Sequence, residues 1–321
     1  VPVGRMHLLF VHDHRFLRGS DGAIYTKGSF PAAVWARYLE HFDTITVVAR
    51  DGGEFAGEDL ARADHAKVRF KLVTSPTLPE RLGLVGGAAR RILREAVAEA
   101  DGVVVRLPSD LGLLGAAESE RAGRACLIEA VGCALDAYAN HGSRQARFYS
   151  KLAMWRMQRA IGRAEFVLYV TEHWLQGRYP PAAKAVTAYA SNVVLVGDPE
   201  SEMPAREVRL AEILGGRPPV IGTVASLGTA SKGLQTMFAA MALLRTKGLV
   251  AMNYRILGSG NPAPWLALAQ HEGVDDWVHF DGSRAAGAPV LEWLDSIDLH
   301  CQPSFQEGLP RATIEAMCRG C

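Results

Sequence analysis

Two α/β domains, each built around a parallel sheet, are what this sequence predicts. Short apolar runs of strand length alternate with helical patterns over residues 6–170, and again over 220–320. Such alternation implies parallel strands joined by crossover helices. Between the two series lies a charged stretch with Pro199, Pro204, Pro218 and Pro219, read as a linker over roughly 197–217. The 321 residues suffice for two domains of ordinary size, expected as 1–205 and 206–321.

In the first series, Met6–His12 is an apolar run with a polar end, a buried strand. A loop is expected over Asp13–Gly28, rich in glycine and charge, then a helix over Ser29–His41. Strands follow at Thr44–Ala49, Val68–Val73 and Gly102–Arg106, with a helix over Gly87–Ala100, and then strands at Ala125–Val131 and Phe166–Val170. Ligands bind beyond the carboxyl ends of parallel strands. The loops after Val11, Arg106 and Val131 are therefore the candidate binding edge of this half.

The second series runs through strands at Val220–Ala225, Asn253–Leu257 and Trp277–Phe280, with helices over Gly233–Lys247, Ala263–Glu272 and Ala288–Ile297. It closes on a short strand ending near Cys301, a turn through Pro303 and Ser304, and a helix begun by Pro310 and stopped by Gly320. Glu307 falls in the loop before that helix and Glu315 inside it, eight residues apart. Gly308 permits close approach of a ligand to the backbone, and the helix start offers N–H groups to an anion. Two carboxylates around an anion-attracting helix start suit a ligand that is part sugar, part phosphate. Lys232-Gly233, at a helix entry after a glycine-containing loop, suits a diphosphate for the same reason.

The run from Pro303 to Met317, PSFQEGLPRATIEAM, resembles the Glu-x7-Glu signature of the retaining family 4 (group 1) glycosyltransferases of the bacterial surface and capsular polysaccharide type. Ser231-Lys-Gly233, Gly258-Ser-Gly260 and Phe280-Asp-Gly282 are similar to that family's motifs and stand in its order. The resemblance implies the GT-B fold, in which two Rossmann-like domains face each other. The first would bind the acceptor and the second a nucleotide diphosphate sugar, a UDP- or GDP-sugar, as substrate, with no cofactor required. In this reading Lys232, the Gly308–Pro310 helix start with Leu309, and Arg311 neutralise the departing diphosphate. Glu307 holds the sugar hydroxyls and stabilises positive charge on the ring, and Glu315 holds the ribose. Catalysis is thus assigned to Glu307 and Lys232, and donor binding also to Ser226, Gly233, Gly258, Gly260 and Phe280. Closure of the facing domain on the donor would exclude water.

The family's glycine-rich turn is matched best by Gly28-Ser29, and Arg106, Glu129, Asp136 and His141 are further candidates in the first domain. Two departures accompany the likeness. Ser226 stands where the family commonly has Arg, and the chain stops at Cys321, where relatives continue with another strand and a returning helix. The second domain is accordingly expected to be truncated. That departure supports a competing reading, a catalytically idle nucleotide-sugar-binding protein or fragment. A nicotinamide-dependent oxidoreductase is a poor third: Gly258-Ser-Gly260 lacks the full glycine fingerprint and its acidic ribose anchor.

With 35 basic and 34 acidic residues, a dedicated nucleic-acid binder is excluded. No apolar run reaches the ~18–20 residues of a spanning helix, so a cytoplasmic protein is expected. Five scattered cysteines, among them Cys318-x-x-Cys321, fit a reducing compartment rather than a zinc site. No metal is expected: there is no Asp-x-Asp, and His12 and His14 are expected to point to opposite sides of a strand end. Residues 144–163 carry six basic and no acidic side chains. On a helical wheel Met154, Met157, Ala160 and Ile161 form one face, while Phe148, Leu152 and Trp155 fall among the basic residues of the other. That face suits a peripheral contact with an anionic membrane at its inner surface, or a lipid-diphosphate or glycan acceptor.

Overall fold

The computed structural model describes residues 5–27, 30–55, 60–75, 77–81, 86–139, 144–191, 193, 199–248, 251–285, 287–305, 307 and 309–321. Two compact units result: residues 1–139 with 145–191, and 192–321 with the short segment 140–144.

The first unit is a sheet of nine strands: His7–Gly19 (β1), Ile24–Thr26 (β2), Thr44–Phe55 (β3), Ala61–Arg62 (β4), Val68–Val73 (β5), Gly102–Leu107 (β6), Cys126–Ala130 (β7), Phe166–Tyr169 (β8) and Val186–Tyr189 (β9). Its parallel part runs β5-β3-β1-β6-β7-β8-β9, and β2 and β4 are added antiparallel beyond β1. The strand order reverses between β1 and β6, which makes their carboxyl ends the crevice of this unit. Leu8, Phe10, Ile45, Val47 and Val104 are buried in the core beside Trp35, whose indole N–H donates to the Ala63 carbonyl at 2.7 Å.

The expected loop Asp13–Gly28 is corrected. β1 continues to Gly19 and pairs with β2 through Leu17 and Arg18. Its charged alternation marks a strand solvated on one face, a pattern that also resembles a loop. The expected helix Ser29–His41 shrinks to single turns at Ala32–Trp35 and Ala36–Leu39.

Four parallel strands form the second sheet: Val220–Val224 (β10), Asn253–Leu257 (β11), Val278–Phe280 (β12) and Leu299–His300 (β13), in the order β12-β11-β10-β13. Here the order reverses between β10 and β13. The expected linker is also corrected, since Pro199–Leu214 is a helix with Pro204 inside it. This helix belongs to the second compact unit. A proline in the sixth helical position costs one backbone hydrogen bond, and two arginines offset it. Arg206, 8% exposed, donates to the carbonyls of Arg319 (2.8 Å), Leu294 (2.9 Å) and Ile297, at the ends of the helices Arg311–Cys318 and Ala288–Asp295. Arg209 reaches Asp298 Oδ1 at 2.7 Å, and that carboxylate also accepts from the Val220 N–H. Arg206→Ala should remove three hydrogen bonds to backbone carbonyls and destabilise the second unit by about 2–4 kcal/mol. Denaturant unfolding followed by tryptophan fluorescence checks this.

Candidate functional site

In the second unit the strand reversal places the loops after β10 and β13 side by side. The β10 loop ends in a single turn at Ala230–Lys232, and Gly233 (φ 74°) then starts the helix Leu234–Thr246. The β13 loop meets it closely: the Phe305 N–H donates to the Ser231 carbonyl at 2.9 Å. A Cβ on Gly233 would lie 1.8 Å from the Pro303 carbonyl oxygen, so only glycine fits here.

This approach brings together the two residues assigned to catalysis, 75 positions apart. Lys232 Nζ lies 2.6 Å from Glu307 Oε1. Ser304 Oγ donates to the same oxygen at 2.7 Å and accepts from Gln302 Nε2 at 2.8 Å. An ammonium and a hydroxyl thus fix one carboxylate oxygen of Glu307. Ser304 and Gln302 were not among the expected site residues. Ser304 stands three positions before Glu307, the spacing at which a hydroxyl and a carboxylate meet across one turn, and that signal was available in the sequence. Gln302 carried no such signal.

Three backbone bonds lock the β10, β11 and β12 loops together: Ala225 N–H to Leu257 O, Leu227 N–H to Ser259 O and Gly258 N–H to Gly282 O. A Cβ on Gly258 would fall 1.7 Å from the Ala225 oxygen, and Gly260 has φ 129°, which explains the glycines of Gly258-Ser-Gly260. Ser226 is exposed on the β10 loop, and Phe280 packs its half-buried ring on the core beneath. Leu309 and Pro310 precede the helix Arg311–Cys318, with Pro310 as its N-cap. Within it Arg311 reaches Glu315 at 3.9 Å, and burial pushes the Glu315 carboxyl above the usual range while Arg311 opposes the shift. Gly308 lies outside the described residues.

The first unit's crevice holds a second cluster. Arg106, at the end of β6, and Glu129, on β7, form a buried ion pair at 3.3 Å. Tyr38 Oη donates to Glu129 at 2.7 Å, a partner no local pattern foretold. The Arg106 guanidinium sits 5.0 Å from the centre of the Phe30 ring. Phe30 has φ 62°, a left-handed conformation that bulky residues adopt at a cost and that recurs at binding sites. His12 and His14 both meet that ring, at 5.3 and 5.1 Å, because residues two apart on a strand share a face. Their expected opposition is thereby corrected. Among the described residues no group of three or more His, Cys, Asp or Glu side chains could hold a metal ion. Gly28, Ser29 and His141 lie outside the described residues, and Asp136 sits in a separate pair with Arg178 at 3.7 Å.

Asp13, from β1, faces the start of the helix Asp110–Ala122 and accepts from the Asp110 and Leu111 N–H groups at 2.7 and 3.2 Å, while Ser109 caps the same helix. Arg50 grips Asp13 with two bonds of 3.0 and 2.8 Å. Desolvation and the Arg106 charge lower His12 to about 3 and His14 to about 4, from 6.5. Between pH 6.5 and 4 the unfolded chain therefore binds protons that the folded unit refuses. Stability from this source is complete above pH 6.5 and falls on acidification, by at most ~1.4 kcal/mol per pH unit for each histidine. Melting curves from pH 7 to 4 should show this slope, and His12→Gln should flatten it.

Residues 218–321 match the model of the family described as Glycosyl transferases group 1. Protein CapJ of Staphylococcus aureus is 28% identical over 315 residues, covering 98% of this chain and 77% of CapJ. Among solved structures, Anabaena HepE in complex with UDP-glucose superposes with a TM-score of 0.60 at 18% identity, over 98% of this chain and 79% of HepE. WaaG, a glycosyltransferase involved in lipopolysaccharide biosynthesis, gives 0.59 at 18% identity, with coverages of 98% and 79%. The trehalose 6-phosphate synthase of Burkholderia multivorans gives 0.60 at 12% identity, over 98% and 81%. At these identities the structures establish a shared GT-B fold.

Proposed function

We propose, proceeding from a chain whose C-terminal domain belongs to the group 1 glycosyltransferases, that the protein transfers a sugar from a nucleotide diphosphate donor to a glycan or lipid-diphosphate acceptor in polysaccharide biosynthesis. The observation that carries this reading is the convergence of Lys232, Glu307 and Ser304 where the second sheet reverses its strand order. The donor is a UDP- or GDP-sugar, and the UDP-glucose bound by HepE favours UDP.

Transfer needs charge neutralised on a departing diphosphate more than it needs a strong base. Lys232 supplies that charge, aided by the start of the helix Arg311–Cys318 and by Arg311. Before donor binds, Glu307 balances the Lys232 ammonium. Once the diphosphate takes the lysine, the carboxylate is released to hold the sugar hydroxyls and to stabilise positive charge growing on the ring. Ser304 keeps it oriented throughout. Glu315, half-buried, holds the ribose, and its raised pKa implies tighter ribose binding as it ionises. We assign acceptor recognition to the Arg106–Glu129 crevice of the first unit.

The reaction retains anomeric configuration and needs no metal. The enzyme works at the cytoplasmic face of the membrane through the exposed Phe148, Leu152 and Trp155 stripe. No helix among the described residues is long and apolar enough to cross a bilayer. Proton NMR of the released or transferred sugar, run with excess EDTA, tests the chemistry. The first-formed anomer should match that of the donor, with the rate unchanged by chelation. An inverted product or a rate abolished by EDTA would contradict the mechanism.

A further inference from the structure

Behind Glu307 the polar side chains of the β13 segment stand in a row. His300 ends β13, level with Gly222 of β10. The backbone just beyond it is pinned: the Cys301 N–H donates to the Gly222 carbonyl at 2.9 Å, and the Thr223 hydroxyl donates to the Cys301 carbonyl at 2.6 Å. Two links of the row are closed, Gln302 Nε2 to Ser304 Oγ at 2.8 Å and Ser304 Oγ to Glu307 Oε1 at 2.7 Å.

The link before them is open. Among the described residues, both ring nitrogens of His300 and the Oε1 of Gln302 are buried and meet no partner in hydrogen-bond geometry. Native interiors rarely carry such a cost without a reason. Burial lowers the His300 pKa, so the ring is neutral at pH 7 with one N–H to give, and the neighbouring Gln302 side chain opposes the shift. A histidine ring turns about χ2 at little cost. A turn toward Gln302 pairs a ring N–H with the amide oxygen.

The amide decides the direction of the whole row. With Oε1 accepting from His300, Nε2 donates to Ser304, which leaves the serine proton for Glu307. Turned the other way, the amide would put its oxygen on Ser304, draw that proton to itself and set the serine lone pairs against the carboxylate.

We propose that His300 and Gln302 are positioning residues for sugar transfer: the ring N–H of His300 fixes the Gln302 amide, so that every donor in the row points toward Glu307. The inference rests on the transferase reading above. It matters most once the diphosphate has taken Lys232, when the Ser304 hydroxyl holds the carboxylate. Each bond in such a row polarises the next.

The test compares variants with the wild type and Glu307→Ala, with circular dichroism confirming each fold. Hydrolysis over a panel of UDP- and GDP-sugars is followed in single turnovers, and donor affinity by calorimetry. His300→Phe keeps a ring but no N–H, and should slow hydrolysis about three- to tenfold, the weight of one neutral hydrogen bond, at unchanged affinity. Gln302→Glu, of the same shape without the amide donor, should slow it at least as much. His300→Gln restores a side-chain N–H and should recover most of the rate, which a merely space-filling role would not require. In nitrogen-15 NMR, the imidazole N–H signal that His300→Phe deletes should move upfield in Gln302→Leu. Full rates in His300→Phe and Gln302→Glu, failure of His300→Gln to recover the rate, or an N–H signal indifferent to Gln302→Leu would each overturn the proposal. Hydrolysis lost in Glu307→Ala but intact in His300→Phe sinks only this role. No hydrolysis by the wild type sinks the transferase reading and this role with it.

Discussion

Replacing Lys232 by alanine is expected to lower sugar transfer about 10²–10³-fold, the loss typical when one preorganised charge at a developing anion is removed. The lysine's ion pair with Glu307 sharpens the expectation. Without the ammonium, the carboxylate faces the incoming diphosphate with only Ser304 to hold it, so donor affinity should fall with turnover. Lys232→Arg restores the charge with a planar fork that does not reproduce the 2.6 Å contact, and should recover little. Single-turnover rates with saturating donor separate the losses. A Lys232→Ala enzyme with unchanged turnover and affinity would remove the residue from the mechanism.

Gly233→Ala is expected to cost more than its single methyl group implies. Strain at φ 74° contributes roughly 1 kcal/mol. The larger effect is the 1.8 Å clash with the Pro303 oxygen, which must push back the segment leading to Ser304 and Glu307. A loss of about 2–4 kcal/mol in the second unit, with donor binding abolished, is the expected result. Gly228→Ala on the same loop is the control, since its Cβ would meet only Ser226 Oγ, at 3.8 Å. Thermal melting and calorimetric titration of both variants check the contrast. Equal behaviour would show that the loop yields easily and that the glycine is not needed for the site.

Buried parallel strands were readable because both faces are covered, which makes them continuous apolar runs. Gly102–Leu107 is such a run and lies where the pattern put it, to within a residue; the edge strand Val68–Val73 and the strand Asn253–Leu257, each interrupted by basic residues, were placed as well. β1 beyond His12 was not readable, since His14, Arg15 and Arg18 interrupt the apolar run. The helix Pro199–Leu214 was hidden by its prolines: local propensity argued for a linker, and long-range bonds from Arg206 and Arg209 decided otherwise. The glycines at 233, 258 and 260 were legible as places where a side chain could not stand. What closes on them was not, because Lys232 meets Glu307 across 75 residues and Tyr38 meets Glu129 across 91. Such pairings are set by strand order, and periodicity carries no information about it. The exposed aromatic stripe of the helix Arg144–Ile161 was legible from the wheel.

The central claim is that the loops after β10 and β13 form a nucleotide-sugar site in which Glu307 serves the chemistry and Glu315 the ribose. Calorimetric titration of a panel of UDP- and GDP-sugars into the wild type, Glu307→Ala and Glu315→Ala, with slow donor hydrolysis followed in parallel, tests it most directly. The account predicts saturable binding of one donor, weakened about tenfold or more in Glu315→Ala as hydrogen bonds to a charged group are lost, and hydrolysis lost in Glu307→Ala while binding persists. Failure of every nucleotide sugar to bind the wild type, or hydrolysis undiminished in Glu307→Ala, would contradict it.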